Sequence, residues 1–135
     1  MEHMVFPLIG FDDVRFGESR DRVRKAIEFR FGIQHKEYRK GRDYQVTDAY
    51  DCFHVYYDCE DRCEAVEFFN DARVILNGRL VFPCNYEEVS LLMPELEKDD
   101  LGWVSIEHSI GIYAPNERVE SILFGKPCYF SDDTI

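Results

Sequence analysis

The amino-acid sequence predicts an α+β fold in which two similar units, each a helix followed by an antiparallel meander, form one curved sheet with the helices on one face. Three observations predict it. Helical periodicity occurs twice, strand-like alternation follows each helix, and the two units recur in the same order. A chain of 135 residues has the length of one domain, and its 45% hydrophobic content suffices for a core. We therefore expect residues 1–135 to form a single domain.

The first helix is expected between Ser19, a good N-cap, and Gly32, which suits a left-handed C-terminal position. Between them, apolar residues recur at i, i+3, i+4 and i+8: Val23, Ala26, Ile27 and Phe31. This spacing places one apolar stripe along a helix. The other face is mainly Arg and Lys, so we expect it to be solvated.

The second helix is expected to begin at Asn85, with Glu88 completing a capping box. Its apolar positions follow at i, i+3, i+4 and i+7: Val89, Leu92, Met93 and Leu96. Pro94 lacks a backbone donor, so this helix should end or kink near Met93.

Short alternating segments bounded by turn residues predict strands after each helix. They are 44–47, 52–58, 63–69, 73–76 and 79–82 after the first helix, and 103–107, 110–114, 119–124 and 128–130 after the second. Asn77-Gly78 is the strongest hairpin signal in the chain. The cap positions Ser19 and Asn85 are 66 residues apart, and the apolar positions repeat at the same offset. We interpret this as an internal repeat with units 11–82 and 83–130.

Strand alternation divides the sheet residues between two faces. One face is apolar and should meet the helices: Phe53, Val55, Tyr57, Val66, Phe68, Ile110, Ile112, Ala114, Ile122 and Phe124. The other face is polar and aromatic at once: His54, Tyr56, Glu67, Phe69, Tyr113, Ser121 and Leu123. Such a mixture is more typical of a protein-binding surface than of a face that meets only water. The alternative is that residues 33–43 or 126–135 cover these side chains.

The net charge of −11 disfavours nucleic acid and anionic membranes as partners and favours cationic ones. The basic residues concentrate in 15–42, where we expect a solvated helix face. Solubility alone is the other explanation of such an acidic chain. No apolar stretch approaches the roughly 18 residues of a membrane span. Five cysteines, an odd number, and an N-terminus unlike a signal peptide favour a cytoplasmic location.

The chain lacks the motifs of familiar catalytic and cofactor sites, such as phosphate loops, dinucleotide fingerprints and HExxH. Cys59 and Cys63, with Cys52 and His54 nearby in sequence, lack the second clip that structural zinc needs. Cys84 precedes the second helix, the one place where a lowered thiol pKa is conceivable, but nothing else activates it. We therefore predict no cofactor, no metal and no enzyme activity.

Two resemblances bear on function. The pattern Gly17-x-Ser19-x3-Val23 followed by a meander, and then Asn85-x3-Val89, resembles the helix-plus-sheet unit of β-lactamase-inhibitor-protein-like folds. That resemblance implies binding through the exposed sheet face. In its size, its acidity and the runs 109–113 and 119–122, the chain is similar to bacterial immunity proteins, which neutralise a cognate toxin. The second resemblance transfers no functional residue.

These observations predict a non-catalytic protein-binding inhibitor, most specifically an immunity protein for a cationic toxin, acting as a monomer or weak dimer. The expected binding residues combine aromatic anchors with a polar and acidic rim: His54, Tyr56, Glu67, Phe69, Tyr113, Asp58, Glu60, Asp61, Asp99 and Asp100. A small-molecule or peptide-binding module that uses the same face is the alternative. An enzyme of unrecognised type is the third hypothesis.

Overall fold

The computed structural model describes residues 2–39 and 46–130, and it confirms the α+β class. The elements in chain order are β1 (Glu2–Phe6), β2 (Gly10–Phe11), β3 (Val14–Arg15), α1 (Arg20–Phe31), β4 (Lys36–Arg39), β5 (Val46–Ala49), β6 (Phe53–Tyr57), β7 (Cys63–Phe69), β8 (Arg73–Leu76), β9 (Arg79–Phe82), α2 (Val89–Leu92), β10 (Glu97–Asp99), β11 (Gly102–Ser105), β12 (Ile110–Tyr113) and β13 (Ser121–Gly125). Short 3₁₀ turns lie at Tyr86–Glu88 and Pro115–Glu117.

Helix α1 begins and ends where the sequence predicts. The Ser19 hydroxyl accepts a hydrogen bond from the backbone N–H of Arg22 at 3.3 Å. Gly32 adopts a left-handed φ of 68°, and its N–H donates to the carbonyl of Glu28. Val23 and Ile27 are buried, so the predicted apolar stripe is the side that packs.

Helix α2 is much shorter than predicted. The capping box is present, since the Glu88 carboxylate accepts from the N–H of Asn85 at 2.9 Å. However, the first turn is 3₁₀, and only the four residues Val89–Leu92 are α-helical. Pro94 is responsible, because it cannot continue the helical hydrogen bonding and disfavours helical geometry in the residue before it.

The strands form two sheets, so the prediction of one curved sheet is not confirmed. The smaller sheet has the order β3-β2-β1-β8-β9, and the larger has the order β10-β11-β12-β13-β7-β6-β5-β4. After Phe69 the chain turns through Asn70, whose φ is 54°, and β8 then pairs in parallel with β1 instead of with β7. The predicted hairpin at Asn77-Gly78 is confirmed between β8 and β9. Because this hairpin belongs to the smaller sheet and α2 is a single turn, the internal repeat is not confirmed.

Three smaller differences concern strand positions. The N-terminal strands β1, β2 and β3 and the edge strands β4 and β10 were not predicted. The strand predicted at 128–130 is wrong, because residues 126–130 form a bend and turns. The strand predicted at 44–47 lies partly outside the described residues, within which β5 starts at Val46.

One continuous core lies between the two sheets and the helices. The apolar face predicted from strand alternation is buried: Phe53, Val55, Tyr57, Val66, Phe68, Ile110, Ile112, Ala114, Ile122 and Phe124. From the smaller sheet, buried His3 places its ring 5.0 Å from Phe53 and 4.8 Å from Phe68, centroid to centroid. We call the core side of the larger sheet its inner face and the opposite side its outer face.

A buried ion pair fixes α1 against the inner face. Arg24 donates two hydrogen bonds to the Asp48 carboxylate, at 2.8 and 2.7 Å, and the Tyr57 hydroxyl donates a third at 2.9 Å. The hydrogen bonding to Asp48 raises the pKa of the Arg24 guanidinium above its ordinary value. Asp48 and Tyr57 both lie on the inner face, so this helix leaves the outer face uncovered.

Candidate functional site

Cross-strand pairing gathers the predicted aromatic residues on the outer face. One row of paired positions runs Asp99, Gly102, Tyr113, Ser121, Phe69. The next row runs Glu97, Val104, Gly111, Leu123, Glu67, His54, Ala49. Tyr56 lies in a third row, opposite Ala65. Along each strand, these residues alternate with buried residues. Their side chains therefore lie on the face of the sheet that points away from the core.

The C-terminal segment 126–130 lies across part of this face. A Cβ atom added at Gly111 would lie 2.9 Å from Cζ of Phe130, and one added at Gly125 would lie 2.5 Å from Cγ of Tyr129. The two aromatic rings therefore lie directly against the backbone of β12 and β13. Of the predicted covering segment 126–135, residues 126–130 lie over the outer face at these glycines, and residues 131–135 lie outside the described residues. The segment 33–43 includes residues 40–43, which lie outside the described residues.

The Tyr129 side chain of the covering segment is uncharged at neutral pH. Burial raises the pKa of Tyr129 to about 12, and the negative charges of Glu64 and Glu67 add to the shift. Burial also raises the pKa of Glu64, although Lys126 opposes the shift. Glu64, Glu67 and Lys126 are therefore the charged groups that act on the covered part of the outer face.

Glu67 lies at the centre of the outer face, with its carboxylate held by two hydroxyls. The Tyr56 hydroxyl donates to Oε1 at 2.5 Å, and the Ser121 hydroxyl donates to Oε2 at 2.6 Å. Tyr56 is on β6 and Ser121 is on β13, so the carboxylate of central strand β7 is held from both sides. Both donors are neutral hydroxyls. They fix the orientation of the Glu67 carboxylate but do not neutralise its negative charge.

A pocket of about 260 Å³ opens between Glu67 and the edge of the sheet. It is lined mainly by apolar and aromatic groups, with two carboxylates: Glu67, Asp99, Leu101, Trp103, Val104, Gly111, Ile112, Tyr113, Ser121, Leu123 and Phe130. Tyr113 is 47% exposed and Leu101 is 58% exposed. The pocket therefore combines an accessible aromatic rim with two carboxylates in its lining.

The remaining aromatic residues of the prediction lie beside Glu67. The His54 ring meets Phe69 edge-on with centroids 4.7 Å apart, and it meets Tyr56 at 6.3 Å. All three side chains are half-buried. They form an aromatic cluster on β6 and β7, next to the pocket.

The predicted acidic residues separate into two groups. Asp99 lines the pocket, and exposed Asp100 follows it in the turn to β11. By contrast, Asp58, Glu60 and Asp61 lie in the β6–β7 turn, at the opposite end of the sheet from Tyr113.

Two carboxylates of the β6–β7 turn are held by other groups. Burial alone would raise the pKa of Asp58, but the backbone N–H groups of Arg62 and Glu60, together with Lys126, lower it. Asp61 forms an ion pair with Arg20. These residues stabilise the turn, so their charge is less available to a partner than that of Asp99.

The pKa values of two buried or half-buried thiols, Cys84 and Cys63, are raised. Burial raises the pKa of Cys84 to about 11, so the lowering conceivable from its position before a helix does not occur. Cys63 is buried on the inner face and its pKa is also raised by burial, whereas Cys59 is exposed in the turn. Among the residues described, no group of three or more His, Cys, Asp or Glu side chains could hold a metal ion.

Sequence reasoning missed two parts of the pocket wall, Phe130 and Leu101. Phe130 was assigned to a strand, and Leu101 to no element. The available signal was the pair Gly111 and Gly125, because glycine inside a strand often marks the close approach of another group. Two such glycines on neighbouring strands, followed by consecutive aromatic residues, indicate a terminal segment folded onto the sheet.

Comparison of the chain with protein-family models, with curated proteins and with solved structures gives no match. Neither helix in the described part of the chain is long and apolar enough to cross a membrane.

Proposed function

We propose that this protein is a non-catalytic, protein-binding inhibitor, most specifically an immunity protein that neutralises a cationic bacterial toxin in the cytoplasm. The observation that carries the proposal is the outer face of the larger sheet. It presents aromatic side chains around a pocket lined by two carboxylates, and α1 packs on the inner face. Binding by this face would occlude a basic surface of the toxin.

The aromatic content of the outer face supports binding to a protein. Tyr and Phe contribute large, relatively rigid apolar areas, and they are enriched where interfaces concentrate their binding energy. Tyr113 stands at the pocket rim, and Phe69 lies two positions along the same row. The exposed leucine of the rim, Leu101, extends this apolar area.

The charge of the chain supports a cationic partner. With a net charge of −11, the protein attracts basic proteins over distances of about 10 Å at moderate salt. Such attraction raises the rate of association more than it slows dissociation. Glu67 and Asp99 give this general field a focus inside the outer face.

The distribution of shifted pKa values supports binding over catalysis. Burial raises the pKa values of Tyr57 and Cys63, which lie on the inner face. Both shifts arise from desolvation first. Groups with structural surroundings of this kind are poor candidates for acid–base or nucleophilic chemistry. All five cysteines are free, which suits a reducing compartment.

The proposal is tested by co-expression with a candidate basic toxin domain, followed by measurement of the association rate. We expect the protein to restore growth, and the association rate to fall steeply as salt rises. Glu67→Lys should slow association and abolish protection. Glu28→Lys, on the exposed side of α1, makes the same charge change away from the outer face and is the matched control. Equal loss with both variants would contradict binding through the outer face.

The pocket itself favours the alternative of a small-molecule or peptide-binding module. Its volume of about 260 Å³ lies just below the roughly 300–1,000 Å³ of typical drug-sized ligand sites. A thermal-shift screen separates the two functions, because a true small ligand raises the melting temperature with its concentration. A saturable low-mass ligand that displaces no protein partner would favour the alternative.

A further inference from the structure

Glu67 is prepared to accept two more hydrogen bonds in a defined direction. An ionised carboxylate has about four acceptor positions. The hydroxyls of Tyr56 and Ser121 fill one position on each oxygen. One position on each oxygen therefore remains, and the two hydroxyls hold the carboxylate plane in place.

No ion pair of Glu67 is found within the described part of the chain. The ion pairs found there involve other carboxylates, among them Asp48, Asp61 and Asp13. Asp99, the second carboxylate of the pocket, instead accepts a hydrogen bond from the N–H of Leu101 at 3.0 Å. The pocket thus holds two negative charges and no ion pair of its own among these residues.

The walls of the pocket suit a flat, weakly hydrated cation. Tyr113 and Phe130 provide aromatic groups, and Leu101 and Leu123 provide aliphatic ones. A guanidinium group stacks on aromatic faces and presents two parallel N–H donors to a carboxylate. A lysine ammonium is a strongly hydrated point charge and uses neither property as well.

We propose that this pocket receives one arginine side chain of a partner protein, whose guanidinium forms two parallel hydrogen bonds with Glu67 and packs against Tyr113 and Phe130. The inference deepens the proposed function, on which the identity of the partner rests. The pocket chemistry itself is independent of what the partner does.

The first experiment uses the isolated full-length protein and N-acetyl-arginine methylamide as a probe of one arginine side chain. Amide chemical shifts of Gly111, Ser121 and Leu123 should move and saturate as the probe is added. The citrulline analogue, which has the same shape without the charge, should bind about tenfold or more weakly. The lysine analogue should also bind more weakly. Equal shifts from all three probes, or shifts spread over the acidic surface, would overturn the proposal.

Two variants connect the probe to the pocket. Glu67→Gln should remove the saturable shifts, whereas Glu97→Gln, exposed in the same cross-strand row but outside the pocket, should not. Tyr113→Leu provides an independent test should Glu67→Gln disturb the fold, because this ring is 47% exposed and is not needed in the core. It should weaken probe binding several-fold with an unchanged melting temperature. Unchanged binding in both pocket variants would overturn the assignment.

The second experiment separates this inference from the proposed function. In the purified toxin complex, one arginine of the partner should be replaceable by lysine only with a loss of about tenfold or more in affinity. Tight binding of a basic partner that is insensitive to Glu67→Gln would remove the arginine pocket and leave the inhibitor function. Probe binding at the pocket without any toxin partner would support the arginine pocket and remove the inhibitor function.

Discussion

The ion pair between Arg24 and Asp48 predicts an asymmetric loss of stability when either partner is neutralised. Asp48 is fully buried, whereas the side chain of Arg24 remains 25% exposed and also donates to Glu37 at 3.0 Å. After Asp48 is replaced with Asn, the Arg24 guanidinium still contacts water and the Glu37 carboxylate. Replacing Arg24 with Met leaves a buried anion with only the Tyr57 hydroxyl. The second change should therefore be the more damaging.

The magnitudes follow from the same contacts. Breaking a buried pair by removing one partner costs about 3–5 kcal/mol. We expect Arg24→Met to fall within this range. We expect about 2–3 kcal/mol for Asp48→Asn, because partial exposure of Arg24 reduces the penalty and the amide keeps one acceptor for Tyr57. The double variant should cost less than the sum, with a coupling of about 1 kcal/mol or more.

Urea unfolding followed by circular dichroism measures these free energies, with Glu28→Gln on the exposed side of α1 as the control for a charge change. Losses in the order Arg24→Met, Asp48→Asn, Glu28→Gln would support the packing of α1 on the inner face. Two small, equal and additive losses would refute it. The helix would then not be fixed over the inner face, and the reason for stating that α1 leaves the outer face uncovered would fail.

Three further predictions concern the C-terminal segment, the thiols and the pH dependence. Phe130→Ala should lower the free energy of unfolding in urea by about 1–2 kcal/mol, less than the roughly 3–5 kcal/mol expected for a fully buried phenylalanine. It should also speed amide exchange near the pocket. An unchanged free energy of unfolding would mean that the ring does not pack there. Cys59 should react with a thiol reagent in the native protein, whereas buried Cys63, with its raised pKa, should react only on unfolding; similar rates would contradict its burial. Because burial raises the folded-state pKa of Glu64, the folded state holds its proton to higher pH than the unfolded state does, so its contribution to stability falls as pH rises above 4.5. Glu64→Gln should therefore flatten this part of the curve, and an unchanged slope would show that another group is responsible.

Local features of the chain were predictable from sequence because their physics is local. The caps Ser19 and Gly32 fixed the limits of α1, and the Asn-Gly turn fixed the β8–β9 hairpin. Strand alternation assigned faces correctly, since successive side chains point to opposite sides whichever strands happen to pair. This is why Tyr56, Phe69 and Tyr113 lie together on one face.

The pairing of distant segments was not predictable in the same way. Strand β1 pairs with β8, about seventy residues away in sequence, and no local pattern specifies that contact. The β8–β9 hairpin was therefore expected in the same sheet as β7, whereas it belongs to the smaller sheet. The predicted length of the second helix was wrong for a different reason. Its apolar spacing was helical, but Pro94 limited it to one α-helical turn.

The pocket combines both situations. Glu67 was selected correctly for the outer face by alternation, and Asp99 was selected for its charge. Glu67 and Asp99 line one pocket together with Phe130. The strand predicted at 128–130 would have placed Phe130 elsewhere. The β6–β7 turn acids were included on charge alone, and internal hydrogen bonds and the Arg20 ion pair occupy two of them.

Hydroxyl-radical footprinting of the protein, alone and with the purified basic partner protein that we propose for it, measures directly which face is buried on binding. Tyr113, 47% exposed on the outer face, and Phe29, 93% exposed on α1, are matched aromatic reporters on opposite sides of the sheet. We predict that the partner protects Tyr113 from oxidation and leaves Phe29 as reactive as before. Protection of Phe29 with Tyr113 unchanged would contradict binding through the outer face.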